Sequence, residues 1–258
     1  MPNIDLLGTN FHYELAGDSS LPVLALSNSL GADFSMWDAQ VPALLPNFRV
    51  LRYDTRGHGH SAMPTGKTSL AALGQDLLNL LDALAIERFH LCGVSLGGLT
   101  AMWIALQAPH RLQSLILSNT AAKIGEAASW NERIDVVSAG GLEAIANTVP
   151  TRWFTPAFVA DPVRFQPQRE MLLGCSRQGY IAASAAIRDS DLRYEVTSIT
   201  APTLVLSATD DLATPPSEGH FLHSAIRKSH FQLLPGGHLC NIEFPKLYNA
   251  ALHSFLKP

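Results

Sequence analysis

The pattern Gly93-Val94-Ser95-Leu96-Gly97 constrains this chain more than any other stretch of it. It directly follows the apolar run Phe89–Cys92 and opens a helix-like segment from Leu99 to Gln107. A serine between glycines at a strand-to-helix junction reads as a sharp turn that holds the residue in a strained backbone conformation. A Cβ at either flanking position would collide with neighbouring backbone, which is why glycine stands there. The turn lifts the Ser95 hydroxyl at the C-terminal edge of a sheet, beside a helix N-terminus whose free N–H groups favour developing negative charge. A Gly-rich turn with no chemistry is the competing reading, and the strand before it and the helix after it argue against that.

The remaining text supports a sheet of this kind. Short apolar runs at Val23–Leu26, Arg49–Tyr53, Phe89–Cys92, Leu115–Leu117, Thr203–Leu206 and Phe231–Leu234 each end in Gly, Ser, Asp or Pro, and they read as strands. Leu70, Leu73, Leu77, Leu81 and Leu84 recur at helical spacing before the third of them. Strands without strict alternation, separated by helices, imply a parallel sheet covered on both faces. The alternation breaks after Asn119, and from about Ala121 to Glu195 the text is helical or irregular and rich in aromatics. The sequence therefore predicts an α/β core from residues 1–120 and 196–258, with a helical cap inserted at 121–195. At 258 residues, 47% of them hydrophobic and 16% charged, one globular unit with such an insertion is expected.

Several function classes drop out. A net charge of −4 without clustered Lys/Arg offers no surface to track a nucleic-acid backbone. The start, Met1-Pro2-Asn3-Ile4-Asp5, shows no basic region followed by an apolar stretch, and no run of about 18 apolar residues occurs, so neither export nor membrane spanning is expected. Cys92, Cys175 and Cys240 are odd in number, widely spaced and without a Cys-x-x-Cys pair, which argues against a disulfide framework and a zinc site. A reducing cytoplasm is the simplest compartment. No His/Asp/Glu cluster has metal-ligand spacing, and no cofactor is expected.

A serine hydroxyl is a poor nucleophile until a base takes its proton, and the base needs an acid to orient it. His238 sits in Leu234-Pro235-Gly236-Gly237-His238, a Gly-rich loop just past the last strand. Loops at strand C-termini are where such a sheet presents reactive groups. His220, His223, His230 and His253 fall in a helix, a strand start or the last helix, where a solvated or packed ring is the better reading. For the acid, Asp210 and Asp211 both follow Thr203–Leu206, and spacing alone does not choose between them.

These landmarks resemble the α/β-hydrolase superfamily over nearly the whole chain, least so in the cap. The resemblance implies a mostly parallel central sheet flanked by helices and the chain order Ser, acid, His. The family's acid loop reads Gly-x-x-Asp-x-x-x-Pro; Asp211 and Pro215 fit it, with Ala208 in the glycine's place, so Ser95, Asp211 and His238 are implied as the catalytic triad. Asn119 stands where some relatives carry their acid, and an amide cannot fill that role. Asp54-Thr55-Arg56-Gly57-His58-Gly59-His60-Ser61 resembles a structural turn of the family, which implies that His58 is not catalytic. Ser27-Asn28-Ser29-Leu30-Gly31 takes the place of the loop supplying half the oxyanion hole, implying the backbone N–H groups of Leu30 and Leu96 as its donors.

Most relatives have His-Gly where this chain has Ser27-Asn28. The form Ser-Asn-Ser-Leu-Gly, with Gly-Val-Ser-Leu-Gly-Gly and Leu-Ser-Asn-Thr-Ala at Leu117–Ala121, is similar to the 3-oxoadipate enol-lactonases, which act in the β-ketoadipate pathway of aromatic catabolism. That resemblance implies a small lactone bearing a free carboxylate, hydrolysed through an acyl-enzyme. A cationic partner should then line the pocket. Arg133 and Trp130, three residues apart on one predicted helix face, come first, and Trp153 with its neighbour Arg152 second. Packing of the aromatics and solvation of the arginines are the competing readings. Other substrates of the same chemistry (simple esters or ring-cleavage diketones) and a non-catalytic small-molecule receptor stay open, as does assembly into a homo-oligomer.

Overall fold

Strands β1 (Asn3–Leu6), β2 (Thr9–Ala16), β3 (Val23–Ser27), β4 (Arg49–Tyr53), β5 (Phe89–Val94), β6 (Leu112–Ser118), β7 (Thr203–Ala208) and β8 (Ser229–Leu234) form one sheet in the order β1-β2-β4-β3-β5-β6-β7-β8. The structure, a computed structural model, describes residues 2–256. Met1, with which the expected export-free start and the core both begin, and Lys257 and Pro258, at the core's other end, lie outside the described residues. From β4 to β8 every neighbouring pair is parallel. Both side-chain sets of the central strands are buried, as in Leu24, Ala25 and Leu26 or Leu115, Ile116 and Leu117. Burial on both faces explains why those strands read as continuous apolar runs.

The sheet is mostly parallel, as expected, with its antiparallel part confined to one edge. β1 and β2 form a hairpin, and β2 pairs antiparallel with β4. The two-residue turn between them is Leu7-Gly8, both at positive φ (54° and 83°). Such a turn usually announces itself with Asn-Gly or Asp-Gly. Here Leu7 stands in the left-handed region and is 92% exposed, so the sequence carries no hairpin signal.

The helices are α1 (Val41–Leu44), α2 (Leu70–Ala83), α3 (Leu96–Gln107), α4 (Ala127–Gly140), α5 (Pro156–Val159), α6 (Pro162–Leu173), α7 (Arg177–Arg188), α8 (Pro216–Ala225), α9 (Cys240–Glu243) and α10 (Pro245–Phe255). Ser69 caps α2 by accepting the Ala72 N–H, and Leu73, Leu77, Leu80 and Leu81 bury its apolar face. Each such leucine stabilises the fold by roughly 1.5–3 kcal/mol. Gly74 lies where α2 meets α3, and a Cβ there would strike the Trp103 indole.

Between β6 and β7 the chain carries α4 to α7 with short 3-10 turns and no strand. Helices α4 and α7 pack together. This layer rests on the turn at Gly57: Ser176 N–H donates to the Gly57 carbonyl at 3.0 Å, and Gly57 and Gly179 meet backbone to backbone. Below it Asp54, 1% exposed, accepts the Phe34 and His60 N–H groups and contacts His12 Nδ1 at 2.8 Å. The turn at residues 54–61 therefore acts as a seat for the helices between β6 and β7. Among the described residues no helix is long and apolar enough to cross a membrane.

Candidate active site

Ser95 sits between the end of β5 and the first residue of α3 with φ 58° and ψ −114°. A non-glycine residue in that region costs on the order of 1–3 kcal/mol and persists only where its surroundings fix it. They do so here. Ser95 N–H donates to the Ser118 carbonyl at 3.1 Å, and the Ser95 carbonyl accepts from Leu99 N–H and from Thr120 Oγ1. A Cβ on Gly93 would run into the backbone of Gly97 and Gly98; one on Gly97 would run into the Ser27 and Asn28 carbonyls. The glycines thus let the β3 loop, the β5 end and the start of α3 converge.

Leu30, three residues past β3, lines the same cavity as Ser95. Leu96 N–H lies in the first turn of α3, where no intrahelical acceptor exists. Leu30 N–H likewise has no hydrogen-bond partner among the described residues. The side chains of Ser27 and Asn28 point away from this role. Ser27 Oγ pairs with Tyr53 Oη at 3.0 Å; Asn28 Nδ2 donates to the Tyr53 carbonyl, and Asn28 Oδ1 accepts from Trp37 Nε1, both at 2.8 Å. They pin the loop from beneath.

His238, 3% exposed, hangs from the loop after β8, and its Nδ1 lies 2.8 Å from Asp211 Oδ2. Asp211 follows β7 and is 3% exposed; its Oδ1 accepts from Ala213 and Thr214 N–H, and its Oδ2 also accepts from Thr214 Oγ1. Burial raises its carboxyl, but the His238 charge and these donors outweigh burial and hold it below the ordinary aspartate range. An ionised Asp211 accepts, so Nδ1 carries the proton and Nε2 remains as the nitrogen free for other work. Asp210 is exposed, and among the described residues its carboxylate accepts only from Thr209 Oγ1. Of the two adjacent carboxylates, Asp211 faces the imidazole and Asp210 faces water. Asn119, at positive φ, donates through Nδ2 to the His238 carbonyl at 2.6 Å and to the Gly237 carbonyl at 3.3 Å. In place of a carboxylate it provides a clasp on the histidine loop.

Ser95, His238 and Leu30 line a cavity of about 130 Å³ beneath the inserted helices, and Trp130, Arg133 and Trp153 line the same space. Trp130 and Arg133 share a face of α4, with the guanidinium carbon 5.9 Å from the indole centroid. Arg133 Nη1 donates to Tyr180 Oη at 3.2 Å. Tyr180 of α7, 1% exposed, also lines the cavity. It falls in the aromatic-rich stretch between Ala121 and Glu195, where nothing in the sequence singles it out. Arg152 reaches the cavity wall too, but it is exposed and donates to the Leu212 carbonyl. The arrangement offers a strained serine hydroxyl, an oriented imidazole, and two guanidinium groups, Arg133 and Arg152, along the cavity lining. Among the described residues no three His, Cys, Asp or Glu side chains converge to hold a metal ion.

Comparison with known proteins agrees with this fold. The α/β-hydrolase fold family matches residues 22–140. A 3-oxoadipate enol-lactonase of Acinetobacter baylyi is 39% identical over 247 residues, covering 95% of this chain and 92% of that protein. The crystal structure of an enol-lactonase from Burkholderia xenovorans is 40% identical, with a TM-score of 0.97 over the whole of both chains. A protein of Agrobacterium fabrum named for carbamate hydrolysis, RutD, is 30% identical, covering 96% of this chain and 98% of its own length.

Proposed function

This chain belongs to the α/β-hydrolase family and is a carboxylic ester hydrolase, and from that premise we propose that it opens the enol-lactone ring of 3-oxoadipate. The observation that carries this reading is that Ser95, His238 and Arg133 line one and the same cavity. A small lactone with a free carboxylate needs both ends of such a site. The names of the two enol-lactonase relatives support the same substrate.

In this reading His238 Nε2 takes the Ser95 proton as Oγ attacks the lactone carbonyl. The tetrahedral oxyanion is held by Leu30 and Leu96 N–H, groups already free and fixed in place. Collapse breaks the ring C–O bond, leaving an acyl-enzyme whose released oxygen is an enol. An enolate is far less basic than an alkoxide, so its departure needs less complete protonation from His238. The enol becomes the ketone. Water, deprotonated by His238, then attacks the acyl carbon and releases 3-oxoadipate and Ser95. Arg133 pairs with the distal carboxylate, and Trp130 and Trp153 cover the apolar middle of the ligand.

A panel of the enol-lactone, a neutral p-nitrophenyl ester, an alkyl carbamate and a ring-cleavage diketone tests the assignment. The lactone should give the highest kcat/KM by at least about tenfold, the margin that one charge-assisted hydrogen bond supplies. A carbamate preferred to the lactone would move the assignment to the chemistry for which RutD is named. A single slow turnover on every substrate would point to a receptor.

A further inference from the structure

Glu243 ends the short helix after the histidine loop and is a buried residue, 6% exposed. No salt bridge reaches its carboxylate among the described residues; Arg164 donates instead to the Glu243 backbone carbonyl at 2.9 Å. Its partners are neutral donors on two separate parts of the chain. Oε2 accepts the Gly237 N–H at 3.0 Å and the Thr155 N–H at 3.2 Å, and Oε1 accepts from Thr155 Oγ1. Gly237 immediately precedes His238, and Thr155 belongs to the inserted cap.

The two segments are joined a second time, where Leu239 N–H donates to the Trp153 carbonyl at 2.9 Å. They pack so closely that a Cβ on Gly237 would come within 2.6 Å of that carbonyl. The residues before and after His238 are therefore both tied to the cap stretch that carries Trp153, a cavity wall. A buried carboxylate is costly unless its oxygens are satisfied, so its retention here without a cation indicates a demand for this geometry.

We propose that Glu243 is a positioning residue that locks the His238 loop to the cap, so that the base is placed over Ser95 when the cap is seated. The proposal rests on the reading of His238 as the base. Glu243→Ala leaves the Gly237 and Thr155 N–H groups without an acceptor and lets the loop shift. Glu243→Gln keeps one oxygen for both N–H groups, and its amide can donate to Thr155 Oγ1.

The test is kcat and KM for lactone or ester hydrolysis at a temperature where circular dichroism shows each variant folded, with His238→Ala in the same assay. A misplacement near 1 Å predicts kcat about 10- to 100-fold lower for Glu243→Ala with KM within about threefold, and recovery to within about threefold of wild type in Glu243→Gln. Where Glu243→Ala does not fold, Glu243→Asp replaces it: its carboxylate is one methylene too short to span both partners and should lose at least about tenfold in kcat. A folded Ala or Asp variant with wild-type kcat, a loss confined to KM, or a Gln variant as impaired as Ala would overturn the proposal. Turnover surviving in His238→Ala would instead overturn the reading of the site, whereas an inactive His238→Ala beside an unimpaired Glu243→Ala removes only the lock.

Discussion

His238 Nδ1 and Asp211 Oδ2 are 2.8 Å apart, both side chains buried, with Asp211 held from behind by Ala213 and Thr214. This contact sets the tautomer of the imidazole and the direction of its Nε2. Asp211→Asn presents an amide that can donate to Nδ1, favouring the wrong tautomer, and should lower kcat on the order of 10³- to 10⁴-fold. Asp210→Asn should stay within about threefold, since loss of an exposed group is worth little. Steady-state kinetics on both variants decide the matter, and comparable losses would remove Asp211 from its role.

The same pair predicts a pH dependence of stability. The folded Asp211 carboxyl titrates below its unfolded value, so its contribution is complete above the unfolded value and disappears as pH falls through the folded one. The Tm difference between wild type and Asp211→Asn should be greatest near neutrality and narrow once pH drops below about 4, where an unfolded aspartate titrates. Calorimetry across that range would show it; a gap that widens in acid contradicts the sign.

The proposed carboxylate-binding role of Arg133 can be tested apart from the chemistry. Removing a charge-assisted hydrogen bond costs about 1.5–3 kcal/mol, so Arg133→Ala should raise KM for the carboxylate-bearing lactone about 10- to 100-fold. A neutral ester should be affected far less. Equal effects on the two substrates would assign Arg133 to packing against Trp130 and Tyr180.

Asn119 should matter through its donor. Asn119→Ala frees the His238 and Gly237 carbonyls and should destabilise the protein by about 1–3 kcal/mol while lowering kcat. Asn119→Asp should be worse, because it turns an acceptor toward two carbonyl oxygens. Thermal melts paired with kinetics on both variants measure this, and an Asp variant as stable as wild type would refute it.

Legibility of the site followed how local each signal was. The placement of Ser95 at a strand-to-helix turn was readable because a strand, two glycines and a helix all lie within a few residues of it, and that of His238 because its loop follows a strand directly. Asp211 and Asp210 differ only in the direction they point, which no spacing carries. Asn28 and Asn119 stood out as departures from a familiar pattern, but their hydrogen bonds to Tyr53, Trp37 and His238 join segments 9 to 119 residues apart. Glu243 gave no signal, since its partners are backbone N–H groups and a threonine 88 residues away. The β1–β2 hairpin was missed because a leucine occupies the left-handed position its turn requires.

Opening of the lactone ring by Ser95 is directly measurable. The enol-lactone can be generated in the cuvette from its ring-cleavage precursor and the loss of its absorbance followed with wild type and Ser95→Ala. The account predicts rapid multiple turnover by wild type and, for Ser95→Ala, a rate lower by on the order of 10⁴-fold or more. Wild type inert toward the lactone while cleaving simple esters, or Ser95→Ala turning the lactone over at a comparable rate, would contradict it.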